Sequence, residues 1–255
     1  MILAIIQARM ASTRLPGKMM LKAVDKTMLE LMIERVSKSK KLDKIVVATS
    51  TNKLDDVIED VCKKIQIDCF RGSEDDVLLR YKNAAEFYNG DIIVRLCGDC
   101  PLIDAKTIDT TIDSYLNAAY DYVSNLFPTP RTYPDGTSVE VFSKKILDQI
   151  ERETKKPSDR EHVTFFLWMQ PHKFKIYRLD YEKDLSKYRF NLDYKVDYDL
   201  IKKVFENFVS KNRYFEIKDV TTWLDDNPEI FNINSHIEPQ KGWVKSFERD
   251  KEMGF

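Results

Sequence analysis

Short apolar runs and amphipathic stretches take turns from the amino terminus to about residue 100, a rhythm that favours βαβ units around a mostly parallel sheet. Ile2 to Gln7 reads as the first strand, Lys44 to Thr49 (KIVVAT) as the second, Ile67 to Phe70 as a short third and Asp91 to Leu96 as the fourth. Between them, Thr27 to Ser39 sets Met28, Leu31, Met32 and Val36 at helical spacing. Leu54 to Lys64 predicts a second amphipathic helix, and Asp75 to Phe87 a third with Val77, Leu78, Tyr81 and Ala85 on one face. The opening MILAII is too short for a signal core or a membrane span, so it reads as a buried strand of a cytoplasmic protein.

From about Asn125 the rhythm breaks into hairpin-like pieces carrying Pro128, Pro130, Pro134 and Gly136, which suit a lid or a dimer arm better than another βαβ unit. Lys144 to Thr154 and Arg160 to Met169 predict helices, Phe174 to Leu179 and Phe190 to Leu192 strands, and Asp197 to Val209 a further helix. The expected organisation is one α/β domain over residues 1–230, with 125–190 as the acceptor-binding or dimerisation region and 231–255 as an irregular tail. In that tail Trp243 and Phe247 are candidates to pack on the body or on a partner subunit. The 41 basic and 42 acidic residues nearly cancel, which argues against nucleic acid or an anionic membrane as partner. An anionic ligand must therefore be met by a local group of cations.

One such group follows the first strand directly, in Gln7-Ala8-Arg9-Met10-Ala11-Ser12-Thr13-Arg14-Leu15-Pro16-Gly17-Lys18. Ligands of doubly wound folds bind at the carboxyl ends of strands, where this loop emerges. Arg9, Arg14 and Lys18, with Ser12, Thr13 and the backbone N–H groups between them, form a set able to hold a triphosphate and steady a departing pyrophosphate. The chain has only seven glycines, and Gly17 falls where the backbone must turn beside such a phosphate. The loop fits neither a Walker P-loop nor GxGxxG, so a solvated basic loop is the plain alternative.

The stretch IIQARMASTRLPGKMM resembles the opening signature of the cytidylyltransferases that make CMP-activated sugar acids, and is most similar to the spore-coat polysaccharide F-type branch. KIVVATS, FRGSEDDVLLRY, VRLCGDCPLID and NLDYKVDYDLI continue the likeness in order over roughly the first 210 residues. The resemblance implies a Rossmann-like, GT-A-like nucleotidyltransferase fold, a homodimer, and transfer of CMP from CTP to a sugar acid or small phosphorylated acceptor, assisted by Mg2+. It assigns Arg14 and Lys18, with Asp99, to catalysis and phosphate binding, and Gln7, Ala8, Arg9, Ser12, Arg71, Gly72 and Ser73 to the rest of the nucleotide site. Asp99 and Asp193 are the implied metal ligands, while Asp197 serves equally well as a helix cap.

Arg71-Gly72-Ser73 also reads as an ordinary strand-to-helix turn with Ser73 as N-cap. Cys97 and Cys100 stand where the sugar-acid synthetases carry Gln and Glu; two small buried side chains flanking Asp99 explain them better than a thiolate or redox site. On the acceptor side the candidates are Arg131, Asp135, Glu140, Arg160, Glu161 and His162, with Ser158 capping a helix as the alternative for the last cluster. His162 is open between general base and positioning residue. A glycosyltransferase of related fold and a non-catalytic nucleotide-binding protein are the rival functions.

Overall fold

A computed structural model describes residues 1–210, 214–238 and 242–255, without the side chains of 242–245 and 249. The elements follow in chain order as β1 (Ile2–Gln7), β2 (Lys22–Ala23), β3 (Lys26–Thr27), α1 (Met28–Val36), β4 (Lys44–Ser50), α2 (Asp56–Lys64) and β5 (Asp68–Gly72). Then come α3 (Val77–Phe87), β6 (Ile92–Cys97), α4 (Ala105–Leu116), β7 (Tyr122–Ser124), β8 (Glu140–Ser143) and α5 (Lys144–Glu153). The last are α6 (Pro157–His162), α7 (Phe165–Trp168), β9 (Ile176–Arg178), α8 (Lys195–Val209), α9 (Ile217–Asp226), α10 (Pro228–Phe231) and α11 (Gly242–Glu252).

The main sheet has the order β5-β4-β1-β6-β8-β7-β9, parallel except where β8 runs against β6 and β7. Alternate residues of β1 enter opposite cores. Leu3 and Ile5 pack under α3 and α5, while Ala4 and Ile6 pack under α1, α2 and α4. A third core joins α8 and α9 to the segment 185–192, with Tyr188, Phe190, Phe205 and Phe215 fully buried. This is the mixed, mainly parallel α/β architecture that the opening rhythm predicts.

Caps fix the helix starts. Thr27 and Glu30 form a reciprocal capping box on α1, and Asp76, Asp104 and Ser143 accept from the first turns of α3, α4 and α5. Three expectations need correcting, and one helix had no prediction. Phe190 to Leu192 is irregular, because its backbone follows the 135 region through one isolated bridge, Asp135 to Arg189, rather than a ladder. The single helix expected over 160–169 is two, divided at Val163, whose φ of 62° lies in the left-handed region. Residues after Asn227 form α10 and α11 instead of an irregular tail, and Phe247 rests on Phe165 at 4.8 Å between ring centroids; the Trp243 side chain lies outside the described residues. Helix α4 carries few apolar residues (AKTIDTTIDSYL) and so gives a weak periodic signal, yet Ile108 and Ile112 are fully buried.

Gly136 is where the 135 loop and the 190 segment meet. Its φ is +81°, and a Cβ there would lie 2.1 Å from the backbone nitrogen of Asn191 and 2.3 Å from the carbonyl carbon of Phe190. Both the backbone conformation and the space demand glycine. Gly136→Ala is expected to lower the unfolding free energy by at least about 2 kcal/mol in urea denaturation. An unchanged midpoint would mean that the two segments part freely.

Candidate active site

The loop after β1 is held by hydrogen bonds to a buried carboxylate. Asp55, 2% exposed, accepts from Met10 N at 2.7 Å with Oδ1 and from Ser50 N and Oγ at 3.1 and 2.5 Å with Oδ2. Gly17, with φ +69°, turns the chain into a short 3-10 stretch that carries Lys18 back toward the sheet. Opposite, the turn after β6 presents Asp99, and Leu192 N donates to the Asp99 carbonyl at 2.8 Å, so the segment carrying Asp193 is tied beside it.

These tethers converge on one ammonium. Lys18 Nζ lies 2.9 Å from Asp99 Oδ2 and 2.9 Å from Asp193 Oδ1, and Arg14 reaches the same Asp193 oxygen at 2.8 Å. Burial works against the charge of Lys18, but Asp99 and Asp193 outweigh it and its pKa stands above the ordinary value. Burial likewise resists ionisation of Asp193, yet Lys18 and Arg14 prevail and hold its carboxyl below the usual range. Arg189 and Asn191 approach the other oxygen of Asp193, and Asp197 caps α8 through Asp193 N and Tyr194 N while pairing with Arg189 at 2.9 Å.

A cavity of about 330 Å³ opens on this cluster, within the range of small-molecule sites. Gln7, Ala8, Arg9, Ser12, Arg14, Lys18 and Asp99 line it from the strand ends. Glu161 and His162 line it from α6, and Arg80 and Arg95 from α3 and β6.

The family described as cytidylyltransferase matches residues 3–227. An uncharacterised protein of Methanocaldococcus jannaschii is 39% identical over 92% of this chain and 95% of its own length. The spore coat polysaccharide biosynthesis protein SpsF of Bacillus subtilis is 32% identical over 89% and 95%. A solved cytidylyltransferase from Leptospira borgpetersenii superimposes with a TM-score of 0.86 at 37% identity, covering 94% of this chain and 98% of the other. The chain belongs to the cytidylyltransferase family.

In this cytidylyltransferase several expected site residues turn away from the cavity. Arg71 pairs with Asp56 and Glu59 at 2.6 and 3.1 Å and donates to the Ser50 and Asn52 carbonyls, so it clamps β5 to α2. Gly72 sits on β5 opposite Ser50, and Ser73 Oγ accepts from Asp76 N, so the motif is a strand-to-helix turn in which Asp76, not Ser73, is the N-cap of α3. Glu140 is fully buried on β8, bound by Arg95, Tyr122 and Thr164, and braces the cavity floor without lining the cavity. Arg160 pairs with Asp76 and Glu151 behind α6. Arg131 and Asp135 continue the ion network from Arg189 rather than line the cavity; Asp135 is 3.0 Å from Arg189, and burial raises its pKa.

Two cationic cavity residues escaped the sequence reading, Arg80 and Arg95, both over nine-tenths buried. Their signal was present: each is a cation set in an otherwise apolar helix face or strand. Cys97 and Cys100 are free thiols whose pKa burial pushes up, that of Cys97 to about 12, so neither is poised as a thiolate. Among the described residues no three His, Cys, Asp or Glu side chains converge as a metal cluster.

Because its pKa is depressed on folding, Asp193 contributes stability above its unfolded value near 3.8, and that contribution disappears as pH falls through the folded value. Asp193→Asn is expected to cost about 3 kcal/mol at neutral pH. Urea midpoints of the two proteins should converge as the pH is lowered below 3.8. A gap that stays constant into acid would detach the effect from this carboxylate's charge.

Proposed function

We propose that the protein transfers CMP from CTP to a sugar acid or small phosphorylated acceptor, releasing pyrophosphate, for surface polysaccharide synthesis. The observation that carries this reading is Lys18, an ammonium held between Asp99 and Asp193 at the mouth of a cavity walled by the cationic loop. Arg9, Arg14 and Lys18 bind the triphosphate and offset the charge that builds on the leaving pyrophosphate. Such chemistry is mostly positioning and charge stabilisation, which a site of arginines, one lysine and fixed backbone donors supplies. The polysaccharide role draws support from the name of the Bacillus relative.

Asp99 and Asp193 offer hard oxygen donors that already converge on one cationic nitrogen, so their chemistry fits Mg2+, which needs only one or two carboxylates beside phosphate and water. Bound there, the ion would polarise the phosphate oxygens. The chain's own cations orient the nucleotide, and Asp55 keeps their loop in place.

A pyrophosphate-release screen tests the assignment by crossing CTP, GTP, UTP and ATP with 3-deoxy-ulosonic acids and phosphorylated acceptors, with and without chelator. Release is expected with CTP, to be abolished by chelation, and to fall by about 10²–10³ in Asp99→Ala and Lys18→Ala. Turnover with another triphosphate alone would overturn the base assignment, and variants as fast as the parent would overturn the site.

A further inference from the structure

The mechanism so far leaves several cavity residues without a part, His162 among them. His162 sits at the last turn of α6, half-buried, and its Nε2 lies 2.9 Å from Ser246 Oγ on the carboxy-terminal helix α11. Ser246 Oγ in turn donates to Glu161 Oε2 at 3.0 Å. A serine hydroxyl has one proton. Once that proton is committed to the Glu161 carboxylate, Ser246 Oγ can only accept from the imidazole, so Nε2 carries hydrogen and Nδ1 is left with a lone pair. Among the described residues Nδ1 has no hydrogen-bond partner.

The serine is not a chance neighbour, because α11 is clasped to α6 at a second point. Asp250 accepts from Ser158 N at 3.0 Å and from Ser158 Oγ at 2.5 Å, one turn further along α11, and Phe247 packs on Phe165 between them. Ser246 and Asp250 are both buried. Helix α11 thus backs the α6 wall from behind, and none of its described side chains lines the cavity.

We propose that Ser246 is a positioning residue that holds His162 in its Nε2–H tautomer, so that Nδ1 is the general base for the attacking hydroxyl. The inference rests on the cytidylyl-transfer reading above. The acceptor oxygen bonds to the α-phosphorus of CTP while its proton passes to Nδ1. The bond from that phosphorus to the bridging oxygen breaks, and pyrophosphate leaves with the electron pair. His162 afterwards gives its proton to water. The groups that set its charge are Glu161 on its own helix, Arg95 from β6, Glu140 from β8 and Asp250 from α11. Burial, the largest influence, and Arg95 favour the neutral ring, while the three carboxylates oppose them; the pKa lies below the ordinary 6.5, so the ring is a free base at neutral pH.

The test has two independent arms on the full chain. In nitrogen-15 NMR of the ligand-free protein, the His162 signals, identified by their loss in His162→Gln, should report Nε2–H and bare Nδ1. Ser246→Ala should mix the tautomers, and Ser246→Thr should restore the single form. A protonated Nδ1 in the parent at neutral pH overturns the proposal. In pyrophosphate release with 3-deoxy-manno-octulosonate as the hydroxyl acceptor, His162→Gln should lower kcat by about 10²–10⁴ and Ser246→Ala by about tenfold, with the KM for CTP unchanged, while glycerol 3-phosphate, whose attacking phosphate oxygen has no proton to give up, should lose no rate. The parent's kcat/KM should rise with pH through a pKa below 6.5 and then level, and His162→Gln should lose that limb. Variants with full kcat and the same pH limb would overturn the base assignment. A parent that binds CTP but turns over neither probe sinks the acceptor reading instead, and the NMR arm still decides whether Ser246 sets the ring.

Discussion

The site depends on one buried ammonium shared by two carboxylates from opposite halves of the chain. Lys18 is 10% exposed in its side chain and Asp193 1%, so neither charge could stand in that position alone. With Arg14 on the same Asp193 oxygen, two cations and two anions balance locally. A buried pair of this kind is weak evidence for net stability, since desolvation offsets much of the Coulomb gain. What the pair does supply is register: the β1 loop, the turn after β6 and the start of α8 must arrive together or leave a charge unpaired. The bond from Leu192 N to the Asp99 carbonyl and the Gly136 crossing under Asn191 make that arrival a property of the backbone as well.

Around this neutral centre the rest of the cavity is tilted toward positive charge. Arg80 is 2% exposed and pairs with no carboxylate among the described residues; its Nη1 donates to the Ser73 and Glu74 carbonyls, and its Nε is unpartnered. Burial and the nearby Arg9 lower its pKa, the signature of a cation held where water is scarce and a like charge is close. An anionic ligand relieves both strains at once. Arg95 differs, because Glu140 already neutralises it and fixes its guanidinium beside Gln7 Oε1. The two arginines therefore divide the work: one attracts charge, the other shapes the floor.

The first half of the fold and the cationic loop were legible because local signals and tertiary outcome agree there. Strand β1 begins and ends where its apolar run does, and the loop residues that face the cavity are those whose donors the chemistry needs. The failures have physical causes. Arg71 looked like a ligand because it follows a strand, but Asp56 and Glu59 on α2 offer nearer partners, which no local pattern reveals. Glu140 opens β8 with Arg95 directly opposite in register, a pairing visible only once β8 is known to run beside β6. Phe190 to Leu192 has the apolar composition of a strand, yet its neighbours are the Gly136 turn and the third core rather than a sheet edge.

The carboxy-terminal helix was the least legible part, since nothing in GWVKSFERDKE announces a site. Its role arises from tertiary placement: Ser246 and Asp250 lie four residues apart, one helical turn, and so reach Glu161, His162 and Ser158 on one face of α6. The cavity consequently has two walls of different origin. The loop wall is covalently close to the first strand and anchored by the central parallel sheet. The α6 wall ends at Val163, in the left-handed region, and is held by side chains from elsewhere: Asp76 and Glu151 on Arg160, and Ser246 and Asp250 of α11. Local opening free energies follow the density of such anchoring, so the α6 wall answers to tertiary side-chain contacts and the loop wall to the central sheet.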